Sequence, residues 1–286
     1  MKKIKAAAIV GSLCIFFFGR FVSLAQAEGV KIGLRLTGGM NSLSTGDINK
    51  DIQGENDYWK GWHGMTISGE FQKIRYGFDG QADLLIYFTP RFGLSLGSGY
   101  ILGKKDAGQV TLTSPSDNRS ESLINQISAI PILAGLFFIY PISSGSRIFV
   151  QAGGGYYFAK YSQSGDYDRT GDINFSEEWT QNAAANGFGF HGGLGFEFDL
   201  GRNVAFVIEG FGRRVQIDGF KGDWIHRYSD RDPYTGHGSL YYWEWEGIPN
   251  VRMGEEFPSY PDIKNVREAI IDFSGFAIRA GIRIVF

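Results

Sequence analysis

Four histidines, His63, His191, His226 and His237, are the side chains best suited to move protons near neutral pH. None has zinc-ligand spacing to a second histidine or to a cysteine, so no metal centre is expected. Asp218, Asp223, Asp230 and Asp232 could offer oxygen to calcium, but their spacing fits no calcium loop and reads as a solvated acidic face. The glycine runs "GGG" at 153–155 and "GGLG" at 192–195 lack the strand–glycine–helix order of a nucleotide loop. The residues therefore point to no catalytic constellation, no metal and no cofactor.

Richer chemistry lies in charges that alternate with apolar residues. In "FAIRAGIRIVF", Phe276, Ile278, Ala280, Ile282, Ile284 and Phe286 occupy one face of a strand and Arg279 and Arg283 the other. The same rhythm sets Arg35 against Leu34 and Leu36, Asp83 against Ala82 and Leu84, and His191 and Glu197 against Phe190, Phe196 and Phe198. Counted from one end of each strand, Arg35, Asp83, Glu209 and Arg279 reach nearly equal height. Arg213, His191 and Glu197 lie above or below. Two cations and two anions at one level predict a salt-bridge layer, because an unpaired buried charge is costly. An inert plug is the expectation; a gated pore or a proton-sensing His191 is the functional alternative.

The elements that carry these residues are strands. Residues 1–27 read as a secretory signal peptide, with a basic start, an apolar run and Ala25-Gln26-Ala27 before Glu28. Residues 28–286 then form one domain without cysteine, since Cys14 lies in the leader. Without Lys2, Lys3, Lys5 and Arg20 the chain keeps 24 basic against 30 acidic residues, a balance of −6 that suggests no nucleic-acid partner. Glycine supplies 41 of 286 residues and aromatics 15%, which leaves little room for long helices.

Eight alternating segments fall at about 29–40, 74–89, 91–104, 125–141, 147–161, 186–201, 203–218 and 269–286. "TPR" at 89–91, "PISSGS" at 141–146 and "LGRN" at 200–203 are short turns. The connections at 41–73, 104–124, 162–185 and 219–268 are long. Strict alternation of short and long predicts an all-β fold. It is a closed antiparallel up-and-down transmembrane barrel of eight strands, with short periplasmic turns and four long extracellular loops. Segment 125–141 fits least well, being apolar on both faces and interrupted by Pro131.

The strands "FGLSLGSGYILG" and "FGFHGGLGFEFDLGRNVAFVIEGF", together with the terminal strand ending in Phe286, resemble the eight-stranded outer-membrane barrels of the OmpX, OmpW, opacity-protein and OmpA-barrel type. That resemblance implies a monomer in the outer membrane of a Gram-negative-type bacterium, in contact with outer-membrane lipid and lipopolysaccharide. It also implies that Phe286, with Ile284 and Ile282, is an assembly signal read by the barrel-assembly machinery. "HGSL" at 237–240 resembles the His and Ser of lipid A deacylase barrels, but His237 and Ser239 fall in a long connection instead of a membrane strand.

All six tryptophans, Trp59, Trp62, Trp179, Trp224, Trp243 and Trp245, lie in the long connections, where Tyr241 joins them. A disordered loop would lack such aromatics. "LYYWEWE" predicts a hairpin above the membrane, paired with extensions such as "MTISGEF" at 65–71. The expected role is structural, with surface recognition or adhesion of an extracellular sugar or protein by these aromatics. A narrow channel for small or hydrophobic solutes is the alternative, and a lipid-modifying enzyme is third.

Overall fold

The computed structural model describes residues 31–286 except 63, 172 and 260; the leader 1–27 and His63 lie outside the described residues. Eight strands close a ring: β1 (Lys31–Ser42), β3 (Tyr76–Tyr87), β4 (Phe92–Thr113), β5 (Asp117–Ser143), β6 (Ser146–Gly171), β7 (Phe175–Asp199), β8 (Val204–Ile217) and β14 (Gly275–Val285). Each pairs antiparallel with its sequence neighbour in the ring, and β14 returns to β1. Closure leaves this ring without free edges, the condition for a sheet in lipid.

The outer face is apolar through a belt. Met40, Phe78, Leu96, Tyr100, Ile130, Ile132, Phe138, Phe188, Phe190, Phe196, Phe276 and Ile278 are all exposed on it. On β5 the belt runs from Ile130 to Ile142, slightly more than the 9–11 residues a strand needs to cross a bilayer. Polar residues such as Gln126, Lys160 and Arg214 then replace it at one end of the barrel, which we call the cap end. The other end carries the three short turns.

Two of the four expected long loops are not loops. The stretches 104–124 and 162–185 continue β4–β5 and β6–β7 as paired hairpins well above the belt, the first closed by a tight turn at 114–116. These strands have 22, 27, 26 and 25 residues, against 11 to 14 for β1, β3, β8 and β14. Alternation simply weakens above the membrane, where neither face is dedicated to lipid. The connection 219–268 adds β9 (Lys221–Tyr228), β10 (Tyr234–Trp245), β11 (Ile248–Gly254) and β12 (Ile263–Glu268). The hairpin containing "LYYWEWE" pairs with β9, β11 and β12. It does not pair with the 65–71 stretch, whose strand β2 (Thr66–Ser68) lies against β4. A two-residue strand, β13 (Ile271–Asp272), edges β8.

One helix, α1 (Asp47–Lys60), was not foreseen. It buries Ile48, Asp51, Ile52 and Trp59 on one face, a helical spacing hidden among acidic and amide residues. Asn49 and Asn56 each exchange two hydrogen bonds with one backbone unit, those of Ile74 and Phe71, at 2.8–2.9 Å. On the opposite side Asp51 accepts from the Val251 N–H of β11 at 2.8 Å. Gly54 faces β11 so closely that a Cβ there would sit 2.1 Å from the Pro249 carbonyl oxygen. The helix thus caps the barrel, packed into a core with Leu43, Phe71, Leu112, Leu123, Leu240 and Val251.

Pro131 is accommodated inside β5. Pairing with β6 stays unbroken through Pro131 and Tyr157. Pairing with β4 lapses at Gly99 and Tyr100, where proline has no N–H to give. The apolar inner face of this strand is no anomaly either: Phe137 and Ile139 fill the lumen with Leu85, Phe149 and Val207.

Candidate functional site

Inside the barrel, register brings charges together. Arg35 stands opposite Asp83 on adjacent strands, and Arg279 opposite Glu209. Arg35 Nη2 lies 2.8 Å from Asp83 Oδ2, and Arg279 Nη2 lies 2.7 Å from Glu209 Oε1. The second is an ion contact whose angle does not suit a hydrogen bond. Arg35 also approaches Glu209 at 4.0 Å. Gln151 bridges the two, accepting from Arg35 and donating to Glu209 at 3.2 Å. Arg213 pairs with Asp79, which also takes Arg279 at 3.0 Å. Gly39 lies between Asp79 and Arg279 in the sheet, where a Cβ would sit 1.9 Å from the Ile278 carbonyl oxygen.

The expected cluster members occupy different places. Arg35, Asp83, Glu209, Arg279 and Arg213 form this central layer. Glu197 belongs to a second group nearer the turns, with Arg283 at 3.0 Å and Arg147 at 3.9 Å. His191 makes no ion pair among the described residues and stacks on Phe211, centroids 5.4 Å apart. Asp79, Gln81 and Gln151 belong to the layer too, as inward residues on strands whose alternation was already legible.

Arg35 is 2% exposed, Glu209 1% and Arg279 1%, so the paired charges of this layer are screened from bulk water. Gly97 makes room for it: directly opposite Asp83, its added Cβ would lie 2.1 Å from Asp83 Oδ1. Gly97→Ala is therefore expected to push Asp83 off Arg35 and cost about 1–3 kcal/mol. The urea midpoint of the refolded barrel in detergent checks this, and an unchanged midpoint would show that the carboxylate yields freely.

One chemically mixed recess lies at the cap end. Tyr58, Trp59, Trp62, Tyr167 and Trp179 surround a cleft of about 340 Å³ together with Glu55, Glu121, Glu177, Arg119, Arg252 and His226. Helix α1, hairpin β5–β6 and strands β7, β9 and β11 each contribute. Arg252 pairs with Glu55 and, at 2.9 Å, with Asp51. His226 Nδ1 lies 2.6 Å from Glu177. The Arg119 guanidinium sits 4.3 Å over the Trp62 ring. Glu121 is 8% exposed and accepts from Trp59 Nε1 at 2.8 Å. Burial pushes its carboxyl up to about 8, with Glu55 adding to the shift.

Of the aromatics singled out by sequence, only Trp59, Trp62 and Trp179 line this cleft. Trp224 packs over Gly236 at the β9–β10 pairing, and Tyr241 meets Phe257 at 4.6 Å. Trp243 is half-buried on β10, and Trp245 at its end is exposed. Tyr58, Tyr167, Glu55, Glu121, Glu177 and Arg252 were missed as site residues, because the helix that gathers them was missed. His237 and Ser239 sit on β10, well above the belt; His237 Nδ1 reaches Asp223 at 2.7 Å on open surface. Among the described residues no group of three His, Cys, Asp or Glu is placed to hold a metal. No helix among them is long and apolar enough to cross a membrane, which says nothing of crossing by strands.

No family model and no curated protein matches the chain. Solved structures do show likeness. The outer membrane protein OprG from Pseudomonas aeruginosa is similar at 12% identity and TM-score 0.36, over 90% of this chain and 94% of that one. A major outer membrane protein from Thermus thermophilus gives 12% and 0.36, over 90% and 99%. Neisserial surface protein A gives 11% and 0.31, over 91% and 98%. The fold itself rests on the pairings: this chain is a closed eight-stranded β-barrel with a lipid-facing belt, a packed lumen and a helix-capped extension above it.

Proposed function

We propose that the protein is an outer-membrane barrel whose capped outer end recognises a saccharide. The short-turn end then faces the periplasm and the extended hairpins face outward, as in barrels of this kind. Phe286 and Ile282 lie outward on the belt, open to lipid and to the assembly machinery. The observation that carries the reading is the cleft. Tyr58, Trp62, Tyr167 and Trp179 bring at least partly exposed aromatic rings to it for sugar rings, Trp59 being buried, and the ionic groups between them offer donors and acceptors to hydroxyls. Its volume suits a small ligand. The buried, ion-paired central layer supports recognition over solute passage.

The test is tryptophan fluorescence of the refolded, detergent-held protein, titrated with tetrameric oligosaccharides of glucosamine and of N-acetylglucosamine. Saturable quenching is expected, weakened about tenfold or more by Trp62→Ala or Trp179→Ala, as for hot-spot aromatics. No saturable response to either oligosaccharide, or steady unitary conductance in a planar bilayer, would count against the proposal.

A further inference from the structure

Three carboxyl groups line the cleft, and two are already matched to a base. Glu55 pairs with Arg252 from β11, and Glu177 from β7 lies against His226 of β9. Glu121, on the cap-end part of β5, has no ion pair among the described residues and accepts only the uncharged indole N–H of Trp59. A buried carboxyl without a base is costly to ionise. A cation brought by a ligand would remove that cost, and the walls suit one: aromatic faces attract cations. Arg119 over Trp62 shows that attraction in place on the rim.

We propose that the cleft selects a saccharide bearing a primary ammonium group, which docks between the indoles and pairs with the Glu121 carboxylate. This rests on the saccharide reading above and narrows it to an amino sugar. Docking ionises Glu121, so the carboxyl gives up its proton to solvent as the ammonium arrives. The charged groups facing it are Glu55 and Asp51 from α1 and Arg252 from β11, with Arg119 from β5, Glu177 from β7 and His226 from β9 around the same cleft.

The experiment compares the glucosamine tetramer with its N-acetylated counterpart on the full chain in detergent. Affinity comes from tryptophan fluorescence, and proton release from calorimetry at pH 6, where the sugar amine is mostly ammonium, in two buffers of different ionisation enthalpy. The amino form is expected to bind at least tenfold more tightly and to release close to one proton. Glu121→Gln, close in shape to the neutral acid, is expected to bring the preference of amino over acetyl form to about one and to abolish proton release. Its fold is checked by the heat-dependent gel migration of the barrel. Equal affinity for the two forms, or a preference that survives Glu121→Gln, overturns the ammonium proposal and leaves saccharide recognition standing. Failure of both oligosaccharides to bind overturns both.

Discussion

Arg279→Met is expected to destabilise the barrel by about 3–5 kcal/mol, because it leaves buried Glu209 with only the more distant Arg35, at 4.0 Å, and Asp79 with Arg213 alone. Arg279 is in contact with both, at 2.7 and 3.0 Å, and its guanidinium carbon also lies 3.7 Å from the centre of the Phe211 ring. The measurement is urea unfolding of the refolded protein in detergent, read by tryptophan fluorescence and gel migration. Adding Glu209→Gln to Arg279→Met should recover part of the loss, since one orphaned charge becomes a neutral amide. Measuring Glu209→Gln alone closes the cycle and gives the coupling between the two sites. A single mutant that unfolds at the wild-type midpoint would mean that the layer fills space without holding the lumen together.

The second large effect concerns pH and the cap. Burial pushes Glu121 up to about 8, and also pushes Asp51 up to about 6, although Arg252 opposes both shifts. Their ordinary values are 4.5 and 3.8. Between ordinary and folded values the folded cap holds protons that the unfolded chain has released, so stability falls as pH rises. For Glu121 the fall runs from about 4.5 to about 8, at roughly 1.4 kcal/mol for each unit of separation. Asp47 acts in the opposite sense: burial pushes it up, but hydrogen bonds from Arg267, the Ile270 N–H and Lys50 outweigh this and hold it below the usual range. Its contribution is lost only in stronger acid. Amide exchange of α1 and β11 is therefore expected to be slowest, after correction for intrinsic rates, near pH 4 and to accelerate toward pH 8.5. Glu121→Gln should flatten most of that dependence. An unaltered pH profile in this variant would remove Glu121 as its cause.

Much of the barrel was legible because lipid imposes a strict period of two. Phe276, Ile278, Ile282 and Phe286 face outward and Arg279 and Arg283 inward for the same reason that Ile130 and Ile132 face outward around Pro131. The cap was not legible, for an equally physical reason. Above the belt the outer face of a strand meets water, so 104–124 and 162–185 lack a sustained outward apolar row and read as loops, although Val110, Leu112 and Leu123 turn into the core. Helix α1 likewise shows only Ile48, Ile52 and Trp59 among polar residues, and its buried face is completed by Asp51 and Asn56. Their partners lie elsewhere in the chain: Asp51 Oδ1 accepts from the Val251 N–H and from Arg252, about 200 positions away, and Asn56 bonds the backbone of Phe71.

By itself the sequence determined which residues turn toward lipid and which toward the lumen, since alternation is a local property of a strand in a bilayer. Only the tertiary structure decided which charge meets which, and which aromatics share a cleft. Pairing register sets the first, placing Arg35 opposite Asp83 and Arg279 opposite Glu209. The second depends on where α1 lands, because Trp59 and Glu121 lie 62 positions apart in the chain and meet only when the helix closes the mouth.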